Sequence, residues 1–382
     1  MHFYDPDIAA DPYPHYQHWR EQQPVFRDET SGQWIISRHA DVVAALKNPQ
    51  LFSSSAFAQS EQSAVTLPLL SDDPPRHTQL RALVNRAFTS RTLKQIEADV
   101  VRLSNSMIAA LPSGEPVDIA EQFTIPLPVA VIAQMMGIPV ARGEDFKRWS
   151  DALTGTSEAD DMESRMPDIM EMAAFFSSLI PERRANPGQD LISQVVNAEV
   201  DGEHMSDEDI AGFCMLLLIA GNETTTSLLS NLLHHAASNQ GVWQQLRDNR
   251  DGIDAAIEEI LRFDAPVQFV FRTVMEDFTL HGQQLSAGDI AVLLMGSANR
   301  DSDHHETPEQ FRLDRKQNSH LTFGHGIHFC IGAPLGRLEA RIALESMLDR
   351  FSSVHHAEQA NERTHSQMLR GFHHLWLEFK TA

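Results

Sequence analysis

Apolar residues recur every three or four positions along most of the chain, a spacing typical of amphipathic α-helices. This periodicity predicts helices over His39–Lys47, Pro75–Phe88, Arg91–Leu111, Ile119–Met136, Met162–Arg184, Asp207–Asn239, Gly252–Phe263 and Ala333–Arg350. The shorter alternating segments predict a hairpin of Val25–Arg27 with Gln33–Ser37, and strands at Phe269–Val274, Ile290–Met295 and Leu375–Phe379. We therefore predict a mainly α fold with small β-sheets. Since no repeat or linker interrupts the pattern, we expect residues 1–382 to form one domain.

The composition excludes several functional classes. The chain carries 30 basic and 53 acidic residues, and its net charge of −23 argues against a nucleic-acid partner. Residues 1–19 lack the basic start and apolar stretch of a signal peptide. The longest wholly apolar run, Phe213–Ala220, is far shorter than the ~20 residues of a membrane span. We therefore expect a cytoplasmic protein without a membrane span.

One segment departs from the acidic background. Residues 76–102 contain more basic than acidic side chains, and the basic ones are Arg76, Arg81, Arg86, Arg91, Lys94 and Arg102. Two interpretations are open: a solvated helix face, which is the commoner case, or a docking surface for an acidic protein.

The stretch LTFGHGIHFCIG at 321–332 sets one of the two cysteines, Cys330, among glycines and histidines. Zinc would need three or four ligands, but neither a CxxC nor an HExxH motif accompanies His325 and His328. A haem iron needs only one axial thiolate. Glycines would allow the backbone to approach a flat macrocycle, and the dipole of the following helix favours a thiolate. On this loop alone, an inert buried cysteine remains the alternative.

The stretch FGHGIHFCIG resembles the haem-thiolate loop of the cytochrome P-450 monooxygenases, soluble bacterial members in particular. The resemblance implies that Cys330 is the axial ligand of haem b iron. It further implies that Phe323 packs near the sulfur and that His328 reaches a haem propionate. The implied architecture is the cytochrome P-450 fold, with haem between the long central helix and the cysteine loop with its helix.

A polar run interrupts the long predicted helix at 216–227, LLLIAGNETTTS. A threonine there could bond back to the carbonyl of Ala220, four residues earlier, and bend the helix mildly. The run also resembles the family's oxygen-binding signature, a small residue, Gly, any residue, an acid and Thr. The resemblance implies that Glu223 and Thr224 deliver the protons that oxygen cleavage requires.

Two further motifs resemble the family's haem-binding and structural elements. The HxxxR pair His77 and Arg81 is implied to bind one propionate, and Arg272 the other. Glu259 and Arg262 match the family's ExxR motif, implied to be a buried pair that shapes the cysteine-loop region. Many relatives have an arginine where this chain has Gln310, so we expect Arg315 or His320 to complete the network.

The resemblance also implies a substrate pocket and redox partners. The residues implied to line the pocket, together with Thr224, are Val65, Leu69, Leu216, Ile219, Ala220, Gln268, Val270, Met368 and Leu369. Nearly all are apolar, so we expect a lipophilic fatty-acid, terpenoid or steroid-like substrate into which one oxygen atom of O2 is inserted. Without a Walker or GxGxxG motif, electrons must come from a separate ferredoxin or flavodoxin with an NAD(P)H-dependent reductase. We expect a monomer.

Alternative interpretations concern both the reaction and the remaining histidines. A peroxygenase driven by hydrogen peroxide would need no redox partner, and a haem sensor or carrier would catalyse no reaction. The histidine pairs at 234–235, 304–305, 355–356 and 373–374 are expected to lie on solvated surfaces without a metal.

Overall fold

The computed structural model describes residues 2–55, 67–87, 90–154, 162–316 and 318–381. Its helices are α1 Pro6–Ala10, α2 Tyr13–Gln22, α3 His39–Lys47, α4 Arg76–Ala87, α5 Ser90–Ala110, α6 Pro126–Met135, α7 Gly143–Thr154, α8 Met162–Ala185, α9 Leu191–Val196, α10 Asp207–Ser238, α11 Gln240–Asp248, α12 Ile253–Phe263, α13 Met295–Ala298 and α14 Ala333–Arg350. The predicted mainly α class with small sheets is confirmed.

The long helix α10 runs through the main core. The Ser206 hydroxyl accepts a hydrogen bond from the backbone N–H of Asp209 and caps its first turn, where acidic side chains complement the helix dipole. Within the described ranges it is the one helix long and apolar enough to cross a membrane, but 72% of its apolar window is buried. Such burial inside the protein is typical of the core helix of a globular domain. Helices α6, α7, α8, α12 and α14 all pack against it.

The strands form small sheets beside the helices. The larger sheet has five strands in the order β1-β2-β8-β5-β3, which are β1 Val25–Arg27, β2 Trp34–Ile36, β3 Phe52–Ser53, β5 Val270–Val274 and β8 Ile290–Leu293. A second sheet has the order β4-β12-β9 and consists of β4 Pro116–Asp118, β9 Phe351–His356 and β12 Trp376–Thr381. Two hairpins pair β6 Phe278–Leu280 with β7 Gln283–Leu285, and β10 Glu362–Arg363 with β11 Phe372–His374. Strand β5 lies in the interior of the larger sheet, antiparallel to β8, and holds the backbone of Arg272 at a fixed position.

The structure divides one predicted helix, 119–136, into separate elements. Residues 116–118, directly before the predicted helix, pair with β12, a short π-helical turn follows at Ala120–Thr124, and α6 begins only at Pro126. The buried carboxylate of Asp118 accepts backbone N–H groups of Ala120 and Leu375, which fastens this segment to the sheet. These long-range contacts override the local helical pattern.

Three of the histidines expected on solvated surfaces are instead packed into the protein. His305 is only 3% exposed. The ring of His235 lies 4.0 Å from that of Phe311, and the ring of His234 lies 4.7 Å from that of Phe372. Aromatic neighbours supplied by distant segments bury these rings, and the local sequence gives no sign of them.

Candidate functional site

A cavity separates α10 from the loop that carries Cys330. The thiol of Cys330 lies on one side, while Ala220, Gly221 and Thr224 of α10 form the opposite wall. Apolar side chains supply most of the remaining lining. The sequence-predicted cysteine loop and oxygen signature, more than a hundred residues apart in the chain, therefore face the same space.

The surroundings of Cys330 act on its thiol in opposite directions. Burial raises the pKa of Cys330 above its usual value, whereas backbone N–H groups of Gly332 and Ala333 and the nearby guanidinium of Arg81 lower it. The two amides belong to the N-terminal end of α14, where unpaired N–H groups and the helix dipole favour an anion. Cys330 also donates its own backbone N–H to the carbonyl of Phe323 at 2.8 Å, which fixes the loop's shape. This geometry suits a metal-bound thiolate.

The glycines of this loop serve close packing within the protein. Gly326 has a φ of +71°, and a Cβ built there would lie 2.5 Å from the carbonyl oxygen of Leu46. Only glycine therefore lets the loop approach the end of α3. A Cβ at Gly332 would lie 3.8 Å from the sulfur of Cys330, which is ordinary contact.

Four predicted haem-binding side chains gather near one another. The rings of His77 and His328 lie 4.4 Å apart, and Arg272 and His328 both line the cavity. Arg81 also lines it and donates to the carbonyl of Phe329 at 2.7 Å. Burial, together with the charge of Arg272, lowers the pKa of His328 to about 3. Phe323 lines the same cavity.

Part of the hydrogen-bonding capacity of these side chains is unused. The buried Nε2 of His77 has no hydrogen-bond partner in the part of the chain that the structure describes. The buried guanidinium of Arg272 donates to the carbonyl of Phe271, and burial lowers its pKa to about 10. The nearby Asp73 carboxylate already accepts hydrogen bonds from serine hydroxyls and amides at 53–55. The carboxylates of haem b would satisfy these groups, so the residues present fit that cofactor.

Thr224 and Glu223, the two residues of the oxygen-binding signature on α10, lie in different surroundings. The Thr224 hydroxyl lines the cavity and donates to the carbonyl of Ala220 at 2.6 Å, so it makes the expected back-bond while facing the site. Glu223 is 9% exposed and turns toward α7, where Ser150 donates to its Oε1 at 3.4 Å. Burial raises the pKa of Glu223, and the charge of Lys147 lowers it.

The predicted pocket residues divide into two groups. Leu69, Leu216, Ala220 and Val270 line the cavity beside Thr224, whereas Ile219, Gln268, Met368 and Leu369 lie outside its lining. The Gln268 amide instead donates to the carbonyl of Ala265 at 2.6 Å, and Met368 packs against the apolar cluster near the N-terminus. Val65 lies outside the described residues.

The Glu259–Arg262 pair is fully buried, as the ExxR motif implied. Arg262 donates to both carboxylate oxygens of Glu259, at 2.7 and 2.9 Å. Its remaining N–H groups donate to the main-chain carbonyls of Asn299, Pro308 and Gln310, which belong to the segment leading to the cysteine loop. The Gln310 position therefore contributes backbone rather than a charged side chain.

Arg315 is the third member of this network. Its Nε donates to Glu259 at 2.9 Å, and its other N–H groups donate to carbonyls of residues 306, 307 and 310. His320 instead contacts the neighbouring carboxylate of Glu258 at 3.2 Å. Burial would raise the pKa of Glu259, but the hydrogen bonds from Arg262 and Arg315 hold it below its usual value.

Comparison with known proteins identifies the family. The cytochrome P-450 family profile matches residues 177–374. The putative cytochrome P-450 YjiB of Bacillus subtilis is 40% identical over 350 residues, which covers 90% of this chain and 88% of YjiB. The chain belongs to the cytochrome P-450 family. The erythromycin C-12 hydroxylase of Saccharopolyspora erythraea, another P-450, is 37% identical over 366 residues, covering 93% of this chain and 91% of the hydroxylase.

Solved P-450 structures confirm the predicted fold. CYP109Q5 from Chondromyces apiculatus superposes with a TM-score of 0.92 at 34% identity, covering 100% of this chain and 98% of that structure. CYP109E1 from Bacillus megaterium, solved with corticosterone, gives a TM-score of 0.89 at 37% identity and covers 97% of this chain and 99% of that structure. The chain is a P-450 monooxygenase with haem b as its cofactor, which excludes the non-enzymatic sensor or carrier.

Several residues that line the P-450 cavity were missed in the sequence. Phe213 and Leu217 continue the stripe of Ala220 and Thr224 at helical spacing, so the periodicity could have found them. Ile132 of α6 lies on a separate element, and no local signal indicates it. Glu339 of α14 also lines the cavity, and burial raises its pKa to about 8.

Proposed function

We propose that this P-450 inserts one oxygen atom of O2 into a lipophilic small molecule, and that the substrate is steroid-like rather than a fatty acid or terpenoid. The observation that carries the proposal is the cavity between Cys330 and Thr224, whose walls on the α10 side are almost wholly apolar. Corticosterone and testosterone bound to CYP109E1 support the steroid class. The erythromycin C-12 hydroxylase, another relative, supports hydroxylation as the reaction.

Each haem-contacting residue has a proposed role. Cys330 would hold the iron through its thiolate, and Phe323 would pack beside the sulfur. His77, Arg81, Arg272 and His328 would bind the two carboxylates, since the nearby Asp73 carboxylate is already held by residues 53–55. Bound haem supplies the iron centre at which O2 is reduced and one of its atoms is transferred to the substrate.

Thr224 and Glu223 would move protons from different positions. The Thr224 hydroxyl faces the cavity and would hold a proton beside O2. Glu223 faces α7, and its raised pKa keeps the carboxyl protonated more readily than an exposed glutamate. Its position between Ser150 and α10 would allow it to draw protons from the α7 surface and pass them toward Thr224.

Electrons would come from a separate ferredoxin or flavodoxin served by an NAD(P)H-dependent reductase. Arg76 is already paired with Asp72 and Asp209, and Arg102 with Asp99, so these arginines are poor docking groups. Arg86 and Lys94 are exposed and have no ion-pair partner within the described ranges. The side chain of Arg91 lies outside the described part. An acidic electron carrier would dock on Arg86 and Lys94. The enzyme itself would be a monomer in the cytoplasm.

The proposed substrate class can be tested by optical titration of the haem-loaded enzyme. Steroids, fatty acids and terpenoids of matched solubility are added, and the low-spin to high-spin shift is measured. Steroids should give the largest shift and the tightest binding, and ferredoxin-supported turnover under 18O2 should place one labelled atom in the product. Fatty acids binding more tightly than steroids would overturn the proposed class. Turnover with hydrogen peroxide but not with electrons would overturn the reaction in favour of a peroxygenase.

A further inference from the structure

Three histidines meet away from the haem cavity. His39 begins α3, and His304 and His305 follow α13; one ring nitrogen from each lies within 4.8 Å of those of the others. The rings of His39 and His304 are stacked, with centroids 3.4 Å apart, and the His305 ring is edge-on to His304 at 4.7 Å. None of the three lines the haem cavity.

Two of these rings present buried nitrogens without partners. His39 is 9% exposed and His305 is 3% exposed. The Nε2 atoms of both are buried and have no hydrogen-bond partner among the described residues. Leaving a buried polar atom without a hydrogen bond destabilises the folded state, so two such atoms in one place call for a missing partner. Burial also favours the neutral imidazole, which is the form that binds metals.

The backbone fixes where the histidines stand. The Asp301 carboxylate accepts the backbone N–H of His39 at 2.8 Å, and the Asp301 carbonyl accepts the backbone N–H groups of His304 and His305 at 3.1 and 2.8 Å. The His304 Nε2 lies 2.8 Å from the hydroxyl of Ser319, a contact that orients its ring. This resembles the supporting hydrogen bonds that orient metal-binding histidines.

We propose that His39, His304 and His305 form a binding site for a divalent transition metal, with Zn²⁺ as the ion it best suits. Three neutral imidazoles are a common zinc donor set and leave a fourth position for water. Zn–N bonds of ~2.0 Å in a tetrahedral site need nitrogens ~3.3 Å apart, so the cluster, whose nitrogens lie within 4.8 Å of one another, must contract by about 1.5 Å at most. His304 is exposed and can turn inward to do so.

The proposed zinc would join two segments that support the cysteine loop. Helix α3 spans nine residues, ~13 Å, from His39 to the region where the Leu46 carbonyl meets Gly326. The segment after α13 carries the carbonyls that accept hydrogen bonds from Arg262. Zinc would therefore stabilise the folded enzyme without contacting haem or substrate.

The test uses haem-loaded, untagged enzyme dialysed against chelator and titrated with ZnCl2 by calorimetry. We expect one Zn²⁺ per chain with micromolar or tighter affinity, and a rise in melting temperature on binding. His304→Ala, at an exposed ring, should keep its haem spectrum but weaken zinc binding by roughly 100-fold, and His305→Gln should behave likewise. His355→Gln, at an exposed histidine of β9, is the matched control and should bind zinc as wild type does.

Two results would overturn the site. One is the absence of saturable zinc binding in the wild-type protein. The other is equal zinc affinity in wild type, His304→Ala and His305→Gln, which would assign the ion to other histidines. If His305→Gln fails to incorporate haem, the exposed His304→Ala variant still decides the question.

Discussion

At the residue scale, the hydroxyl of Thr224 fits both explanations of the polar run in α10. It donates to the Ala220 carbonyl, as a helix-bending threonine would, and it also faces the cavity across from Cys330. Replacing Thr224 with alanine separates a helix-bending role from a proton-delivery role. Alanine is the better helix former, so the change should be tolerated if Thr224 only bends the helix.

We expect Thr224→Ala to retain haem, bind substrate and continue to oxidise NADH. Its product yield per NADH should fall, with the missing oxygen recovered as hydrogen peroxide. General acid–base positioning contributes typically 10²–10⁴-fold, so oxygen transfer should slow by at least ~100-fold. The measurement is product and peroxide formed per NADH oxidised.

Thr226→Ala is the matched control for this experiment. The Thr226 hydroxyl donates to the carbonyl of Thr124 at 3.0 Å, outside the cavity lining, so its removal should leave coupling unchanged. If Thr224→Ala is as tightly coupled as Thr226→Ala, Thr224 has only a helical role and Glu223 with water becomes the proton relay.

At the scale of elements, periodic patterns predicted some helices closely and missed others. Helix α3 and helix α14 match their predicted bounds at both ends. Helix α7 buries Phe146 and Trp149 in the core but is mostly polar, and it was missed, as was the strand β9. The segment directly before 119–136 pairs with β12, more than two hundred residues away, and no local pattern encodes that pairing.

The residues of the candidate site also divide into those that the local sequence could predict and those that it could not. Cys330 and Thr224, which belong to short motifs that the sequence shows directly, both line the cavity. Residues chosen from loops at the chain's end, such as Met368 and Leu369, fall outside it because their segment packs against distant strands and N-terminal residues. Arg315 could be suggested from sequence but not chosen over His320, since both follow Gln310 closely.

We expect Arg315→Ala to destabilise the fold by about 3 kcal/mol, because it leaves the buried Glu259 carboxylate with one arginine fewer. The unfolding free energy is measured by urea titration with haem content as a second readout. Arg312→Ala is the control: its partly exposed side chain pairs with Asp314, and only its backbone N–H reaches Glu259, so stability should fall far less than in Arg315→Ala.

The difference in unfolding free energy between wild type and Arg315→Ala should depend on pH. Hydrogen bonds hold the pKa of Glu259 below its ordinary 4.5, so its ionised form stabilises the folded state. That contribution is fully present above about pH 4.5 and is lost as the pH falls through the lower folded-state pKa. The difference between wild type and Arg315→Ala should therefore narrow in acid. A constant difference down to pH 3 would contradict the assigned role of Arg315.

At the scale of the whole molecule, a net charge of −23 makes local basic surface informative. Five of the basic residues at 76–102 are placed by the structure: Arg76 and Arg102 in ion pairs, Arg81 in the cavity lining, and Arg86 and Lys94 exposed. Helix α5, which carries Lys94, packs against α14 directly after the cysteine loop. Docking there would bring an acidic carrier to the cysteine side of the haem.

We expect Arg86→Glu combined with Lys94→Glu to raise the KM for a ferredoxin by roughly tenfold while leaving substrate binding unchanged. The effect should shrink with added salt, because exposed charges are screened over ~8 Å at physiological ionic strength. Arg27→Glu with Lys380→Glu makes the same net change on β1 and β12 and serves as control. Equal KM values for both double variants at low salt would leave residues 76–102 as a solvated face.

The central claim, that Cys330 holds the haem iron as a thiolate, is tested most directly by the absorption spectrum of the ferrous–CO form. Wild-type enzyme should show the strongly red-shifted Soret band of a thiolate-ligated haem. Cys330→His should retain haem but lose that band. Cys214→Ala should keep it, because burial raises the pKa of the Cys214 thiol to about 12 and it lies outside the haem cavity lining. A wild-type spectrum without the red-shifted band, or a Cys330→His spectrum that retains it, would contradict the account.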